Sequence, residues 1–172
     1  MKSLISFQLP RQLAVRTGFL VLFLVNGLLA TGQVSAVNTL QNLSFGTFSQ
    51  GVSGGTITVS NTGSITSTGT VFPLTFGSSN SGSDVSQAIF EVEAVAGTVI
   101  SISNGPDVNL TGSNGGTMIL HLGASDPRTP LAVVSETGRT SVSLGGTLTI
   151  GNAASTPPGA YTGTFYITFN NE

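Results

Sequence analysis

The sequence predicts an all-β protein, a single antiparallel β-sandwich of seven or eight short strands that follows an N-terminal signal peptide. Three observations support this fold class. Apolar residues recur at every second position in several segments, which is the period of a strand with one buried face. Turn-forming residues separate these segments, and helix-favouring residues are scarce after residue 36. A β-barrel is the second architecture that this pattern allows.

Residues 1–36 have the features of a secretory signal peptide. Three basic residues precede an apolar run at 18–30, which is too short to span a bilayer. The small residues that follow place cleavage after Ala36, with Ala30 as the second choice. The remaining chain, 37–172, has the usual length of one domain, and we expect no membrane insertion once the signal peptide is removed.

The composition of this domain excludes several classes of partner and bond. It contains two arginines and seven acidic residues, hence a net charge of −5. Such a surface repels nucleic acid and anionic lipid, so neither is an expected partner. The chain has no cysteine, so stability must come from a sheet core or from neighbouring subunits rather than from disulfides.

The first half of the domain contains four predicted strands. Ile57 and Val59 share one face of the second strand, and Pro73 favours an edge position for the third. Alternation in the fourth strand places Glu91 and Glu93 on the solvent face. The predicted strands are residues 43–48, 55–60, 71–76 and 88–96.

The second half contains four more predicted strands. Alternation is strongest in the last one, where Tyr161, Phe165, Ile167 and Phe169 share a face. The pair Gly145-Gly146 interrupts the third strand without changing its parity, which indicates a bend or bulge where a second sheet is joined. The predicted strands are residues 98–103, 116–123, 141–150 and 161–169.

Turns are predicted wherever Gly, Pro, Asn and Asp cluster between these strands. Two of the strands also resemble each other in sequence, at 53–59 and 144–150, and similar bulged strands explain the likeness without a repeat of fixed period. The predicted turns are residues 51–55, 77–84, 104–107, 112–116, 126–127 and 157–159.

Residues able to support catalysis or bind a metal are few. His121 is the only histidine, its place in a predicted strand points it to solvent or into a lesser cluster, and no partner base or nucleophile is indicated by spacing. Glu91 and Glu93 are neighbours on an exposed face, where carboxylates ordinarily serve solubility rather than glycoside hydrolysis. One histidine, no cysteine and scattered aspartates do not make a metal ligand set. We therefore expect no enzyme activity, no cofactor and no metal.

Two motifs at the ends of the domain carry a resemblance to a known family. The first is Leu43-Ser44-Phe45-Gly46, and the second is Gly159-Ala160-Tyr161-Thr162-Gly163-Thr164-Phe165. Together they resemble a bacterial exported domain-of-unknown-function family, which is distantly similar to spore coat protein U and archaic pilin domains through an L-x-F-G start and a G-x-Y-x-G closing strand. The resemblance covers almost the whole domain.

The resemblance implies an immunoglobulin-like sandwich with an apolar groove where one strand is missing. In such pilins a periplasmic chaperone, and then the N-terminal extension of a neighbouring subunit, fills the groove. Tyr161, Phe165, Ile167 and Phe169 would line it here. The implied partners are copies of this chain or related subunits, together with a periplasmic chaperone.

One departure from pilins concerns the donor segment. Cleavage after Ala36 leaves only residues 37–42 before the first motif, and cleavage after Ala30 gives a segment with thin alternation. Three possibilities therefore stay open. The subunit is terminal in a fibre, it assembles by another route, or it is a self-complete domain.

The function expected from the sequence is that of an exported, non-enzymatic structural or surface protein. It is pilin-like or coat-like, and it assembles through strand contacts at a sheet edge. Its expected location is the periplasm, cell surface or exterior of a Gram-negative bacterium. The alternative is an adhesive or glycan-binding β-sandwich module that uses the loops at 77–84 and 112–116.

Overall fold

The structure, a computed structural model, describes residues 33–74, 85–134 and 137–172. Within these ranges every regular element is a β-strand, and all strand pairings are antiparallel. The all-β prediction is confirmed, and short strands raise the number above the predicted seven or eight. The strands are β1 (Val34–Gln41), β2 (Ser44–Phe45), β3 (Phe48–Val59), β4 (Ile65–Pro73), β5 (Val85–Ser86), β6 (Ala88–Ala94), β7 (Val99–Asn104), β8 (Val108–Gly112), β9 (Thr117–Asp126), β10 (Leu131–Ala132), β11 (Arg139–Ile150), β12 (Tyr161–Thr162) and β13 (Ile167–Asn171).

One large sheet forms the first layer. Strands β1, β6, β11, β9, β8 and β12 follow one another across it, and β3 and β4 join it beside the second half of β11. The long β11 is its centre, because its first half pairs with β6 and its second half pairs with β3. Strand β9 lies along the other side of β11.

The glycine pair in β11 marks the point where this strand changes partner. The register with β9 shifts between Leu144 and Gly146, so the predicted bulge is confirmed. Strand β3 replaces β6 here within the same sheet, and the predicted junction with a second sheet is wrong. A Cβ atom at Gly145 would overlap the carbonyl oxygen of Val59, so this close approach of two backbones requires glycine.

Two smaller sheets form the second layer. One contains β10, β7 and β13 in that order, and the other contains only β2 and β5. Both pack against the large sheet, since Phe45 of β2 and Ile167 of β13 contact the same core cluster as Leu120 and Leu148. The result is a β-sandwich-like arrangement whose second layer is divided into two parts.

The core between the layers consists of two clusters of buried side chains. The larger one includes Ile57, Leu144 and Phe90 from the large sheet. The smaller one joins Val92 and Val142 of the large sheet to residues of β7 and β10. All of these side chains come from one face of each strand, as the alternation in the sequence predicted.

The two segments with similar sequences are direct neighbours. In the β3–β11 pairing, Thr58 lies opposite Thr147, and their Oγ1 atoms are 2.9 Å apart. Ile57 lies opposite Leu148, and both are buried. Because the strands are antiparallel, equivalent positions of the two segments lie opposite each other only at Ile57 and Leu148, and what the segments share is their alternation and a register shift in each strand.

The prediction of one continuous last strand is wrong. Strand β12 pairs with β8 in the large sheet, whereas β13 pairs with β7 in the second layer, so the chain crosses between layers after Thr162. A Cβ atom at Gly163 would lie 2.5 Å from Cδ2 of Leu110, which shows how closely the chain passes the core at this crossing. Alternation continues through the crossing because both strands face the same core.

Other predictions hold in part. The predicted first strand is divided between β2 and the start of β3, and the predicted turn at 51–55 is a bulged part of β3, where the register with β4 shifts between Gln50 and Gly55. Pro73 ends β4, an edge strand, as expected. Strands β1 and β8 and the first part of β4 were missed. The predicted turn at 77–84 lies outside the described residues.

None of the residues that the structure describes forms a helix long and apolar enough to cross a membrane.

Candidate functional site

A groove of about 1230 Å³ lies between the two parts of the second layer. Its floor is the buried face of the large sheet, including Phe90, Met118, Leu120 and Leu148. One rim is the chain from β1 through β2 into β3, and the other is the chain that leads through β12 to β13. No charged side chain occurs among the described residues that line the groove.

The residues predicted from the last strand lie beside this groove. Tyr161, Phe165 and Ile167 line it, each partly buried. The Tyr161 hydroxyl donates a hydrogen bond of 2.6 Å to the carbonyl oxygen of Pro157, which holds the rim loop against β12. Phe169 is not a lining residue. Its ring packs instead against Phe90, with the ring centroids 6.0 Å apart.

Among the described residues, the backbone of β13 is hydrogen-bonded on one side only. The Gly105 N–H donates to the Tyr166 carbonyl at 2.9 Å, and the Glu172 N–H donates to the Val99 carbonyl at 3.0 Å. In an antiparallel ladder, alternate residues direct both backbone groups toward the same neighbour. Even-numbered residues of β13 therefore face β7, and odd-numbered residues such as Ile167 turn their N–H and C=O the other way.

That other side of β13 is a free edge within the described part of the chain. The three-stranded sheet ends at β13, with no strand paired to its outer side. Strand β2 is an edge as well, because β5 is its one partner among the strands that the structure describes. Two unpaired edges thus belong to the sheets on either side of an apolar groove.

The opposite rim was not predicted from the sequence as part of the site. Leu43, Phe45 and Phe48 contribute its apolar side chains, and the resemblance marked two of them only as a family motif. One signal in the sequence could have identified them. Leu43 and Phe45 are separated by one serine, so in a strand both side chains would point to the same face. Which sheet they would join could not be deduced, because β2 pairs with a strand forty residues later in the chain.

The residues considered for catalysis lie on the outer face of the large sheet, away from the groove. His121 is exposed, and its Nδ1 lies 2.7 Å from Oδ1 of Asp107, a partner that spacing did not indicate. Among the described residues, no serine or threonine forms a hydrogen bond with this imidazole. Glu91 and Glu93 both lie near Arg139, at 3.5 Å and 2.7 Å, and are bound as an ion-pair group.

Metal ligands and the predicted binding loops give no further site. The described residues contain no group of three or more His, Cys, Asp or Glu side chains able to hold a metal. The loop at 112–116 is held to the groove rim, because Asn114 Nδ2 donates to the Pro158 carbonyl at 2.7 Å. The loop at 77–84 is outside the described residues.

The fold and the groove define an antiparallel β-sandwich-like domain with an interrupted second layer. The chain belongs to the family described as Domain of unknown function (DUF4402), whose model matches residues 35–170. The match covers every strand from β2 to β12 and most of β1 and β13. No curated protein and no solved structure matches the chain.

Proposed function

We propose that this protein is an exported structural subunit, pilin-like or coat-like, that assembles by accepting a β-strand into the groove beside β13. The observation that carries the proposal is the combination of an apolar groove with a free strand edge on its rim. Adding a strand to an exposed sheet edge is a general mode of protein recognition. It requires backbone groups for pairing and space for alternate side chains; the free edge of β13 supports the first and the apolar groove supports the second.

The size of the groove favours a polypeptide segment over a small ligand. Small-molecule sites usually measure about 300–1,000 Å³. This groove has a volume of about 1230 Å³, and its described lining combines apolar side chains with uncharged polar ones such as Gln41 and Gln50. An extended strand with alternate apolar residues would cover the floor while pairing with the backbone at Ile167.

Backbone pairing and the burial of apolar side chains would both stabilise the bound strand. Each backbone hydrogen bond adds about 0.5–1.5 kcal/mol net. Each apolar side chain that is fully buried on the floor adds about 1.5–3 kcal/mol. The strand would also connect the β2–β5 sheet to the β10–β7–β13 sheet, and so complete the second layer.

The donor strand is assigned to a copy of this chain or to a related subunit, with a periplasmic chaperone covering the groove before assembly. Strand β1 is a poor donor in its own subunit, because it already pairs with β6. Val34 packs against the smaller core cluster, but Val37 and Leu40 are largely exposed, with 41% and 61% accessible. Release of residues 37–41 from β6 therefore costs little apolar burial.

Export and a non-enzymatic role belong to the same proposal. The N-terminal basic residues and apolar run support export to the periplasm or cell surface of a Gram-negative bacterium. The exposed His121–Asp107 pair has no nucleophile bonded to it in the described chain, which favours a structural role over catalysis.

Size-exclusion chromatography with light scattering tests the proposal. The purified mature chain is measured alone and with a peptide copying residues 31–42. Oligomers, or a monomer that binds the peptide, are expected. A stable monomer indifferent to the peptide would count against the proposal.

Two neighbouring substitutions give a matched pair for this experiment. Phe165→Asp places a charge on the groove rim and should abolish assembly or peptide binding. Tyr166→Asp changes the adjacent residue, which is 73% exposed and lies outside the groove lining, and should have no effect. Equal behaviour of the two variants would contradict the assignment of the groove.

A further inference from the structure

One short motif in the described chain has the residues and spacing of a glycosylation acceptor. Asn109-Leu110-Thr111 fits the pattern Asn-x-Ser/Thr, in which a glycan is attached to the asparagine. Asp107 stands two positions before this asparagine. The oligosaccharyltransferases of bacterial export favour an acidic residue at that position, because its charge can pair with a basic side chain of the enzyme. Residues 107–111 therefore form an extended acceptor motif.

The side chain of Asn109 is exposed and unbonded. It lies on the outer face of the large sheet, because its neighbour in β8, Leu110, points inward and is buried. Among the described residues no hydrogen bond reaches its carboxamide, whereas the side chains of Asn104 and Asn114 donate to backbone carbonyls. The amide nitrogen that would receive a glycan is therefore accessible.

The backbone at Asn109 is also weakly held. The Gly112 N–H donates to the Gly116 carbonyl at 3.1 Å, so even-numbered residues of β8 are hydrogen-bonded to β9. Odd-numbered residues such as Asn109 direct their N–H and C=O to the other side, toward β12. Strand β12 ends at Thr162, opposite Thr111, and does not reach Asn109. The chain can therefore bend outward at Asn109 without breaking a ladder hydrogen bond of that residue.

A second Asn-x-Ser/Thr motif in the chain lacks these features. Asn42-Leu43-Ser44 has Leu40, not an acidic residue, two positions before its asparagine. Asn42 lines the groove between β1 and β2, and its carbonyl accepts a hydrogen bond of 2.8 Å from the Ser86 hydroxyl. The two motifs thus provide a comparison within one chain.

We propose that Asn109 is an N-glycosylation site, modified during export by an oligosaccharyltransferase that uses a lipid-pyrophosphate-linked oligosaccharide as donor. The amide nitrogen of Asn109 forms a bond to the anomeric carbon of the first sugar, and the bond between that carbon and the pyrophosphate oxygen breaks. The amide loses one proton to a base of the enzyme, and the lipid pyrophosphate leaves.

The glycan would not enter the groove. Leu110 lines the groove from the inner face of the large sheet, so the adjacent Asn109 carries the glycan on the opposite face. There it would lie beside the exposed side chain of Ile119, which is directly opposite in β9. The inference therefore rests on the proposed export but not on strand addition in the groove.

Peptide mass spectrometry of the exported protein tests this inference. The full chain is produced in a Gram-negative host that carries a periplasmic oligosaccharyltransferase and its lipid-linked oligosaccharide. A reporter protein with Asp-Val-Asn-Leu-Thr in an exposed loop is produced in the same cells. Glycan is expected on Asn109 and not on Asn42. An unmodified Asn109 beside a modified reporter would overturn the inference, and a chain retained in the cytoplasm with Met1 intact would overturn it through its premise of export.

Matched variants separate the extended motif from the short one. Asp107→Ala should lower the glycan occupancy of Asn109 by about tenfold or more, because a hydrogen bond to a charged group is lost, whereas Asp107→Glu should retain it. His121→Ala removes the ion-pair partner of Asp107 and should leave occupancy unchanged. Full occupancy in Asp107→Ala, or an equal loss in His121→Ala, would contradict recognition of the acidic residue.

Discussion

The ring of Phe90 meets the ring of Phe165 edge to face, with the ring centroids 6.5 Å apart and the planes at 90°. Phe90 belongs to the large sheet, and Phe165 stands on the rim of the groove just before β13. The same ring contacts Phe169. One buried aromatic side chain therefore joins the second layer to the first beside the free edge.

Phe90→Ala should lower the free energy of unfolding by about 3–5 kcal/mol, because it leaves a cavity under both aromatic partners. Denaturation with urea, followed by intrinsic fluorescence or circular dichroism, measures the change. Phe72→Ala is the control, since Phe72 is 60% exposed on β4 and should cost within about 0.5 kcal/mol. Similar losses in the two variants would contradict the core assignment.

Gly145→Ala should destabilise the domain by about 1–3 kcal/mol, because the added methyl group overlaps the Val59 carbonyl where β11 changes partner. Gly123→Ala is the matched control on the facing strand, where the nearest atom to a new Cβ would be 3.5 Å away. Thermal denaturation of both variants gives the comparison. A harmless Gly145→Ala would show that β3 and β11 are farther apart than the structure has them.

Gln50→Leu should cost about 1–3 kcal/mol, because it removes two hydrogen bonds that each contribute about 0.5–1.5 kcal/mol net. The Gln50 Nε2 atom donates to the Gly151 carbonyl at 2.7 Å and to the Thr156 hydroxyl at 2.6 Å, and Thr156 is buried. Ser49→Ala changes the exposed neighbour and should be near neutral. Chemical denaturation under identical conditions compares them, and an equal cost would refute the bridging role.

Amide hydrogen exchange should alternate along β13. The N–H groups of Thr168 and Asn170 face β7 and should exchange slowly, whereas those of Ile167 and Phe169 face the free edge and should exchange fast. Two-dimensional NMR resolves the individual residues. Binding of a strand in the groove should slow exchange at Ile167 and Phe169, and uniform protection before binding would show that the edge is already occupied.

The sequence was sufficient for the fold class because one-sided burial leaves a period of two that needs no knowledge of partners. Ile57, Leu120 and Leu148 were recognised by this period, and all three are buried. The period does not reveal where a strand changes sheet, so the crossing after Thr162 was missed. Strand β1 was missed for another reason, since its half-exposed edge position gives it almost no alternation.

The groove could be predicted only on one side. Tyr161, Phe165 and Ile167 stood out because they share a parity in the strongest strand pattern of the chain. The opposite rim depends on pairing between β2 and β5, a long-range contact that no local pattern encodes. The partnership of His121 with Asp107 was hidden for a similar reason, because it connects β9 to the turn before β8.

The position of β11, with β9 on one side and β6 followed by β3 on the other, has a consequence for biogenesis. Strands β6 and β3 are not paired with each other in the described chain, and both pair with β11, so the large sheet has no centre until residues 139–150 are available. A nascent chain lacking them holds mainly isolated hairpins, which are marginally stable in water. Under the proposed export, the polypeptide should thus stay extended during its passage through a translocation channel, and fold only after most of it has emerged.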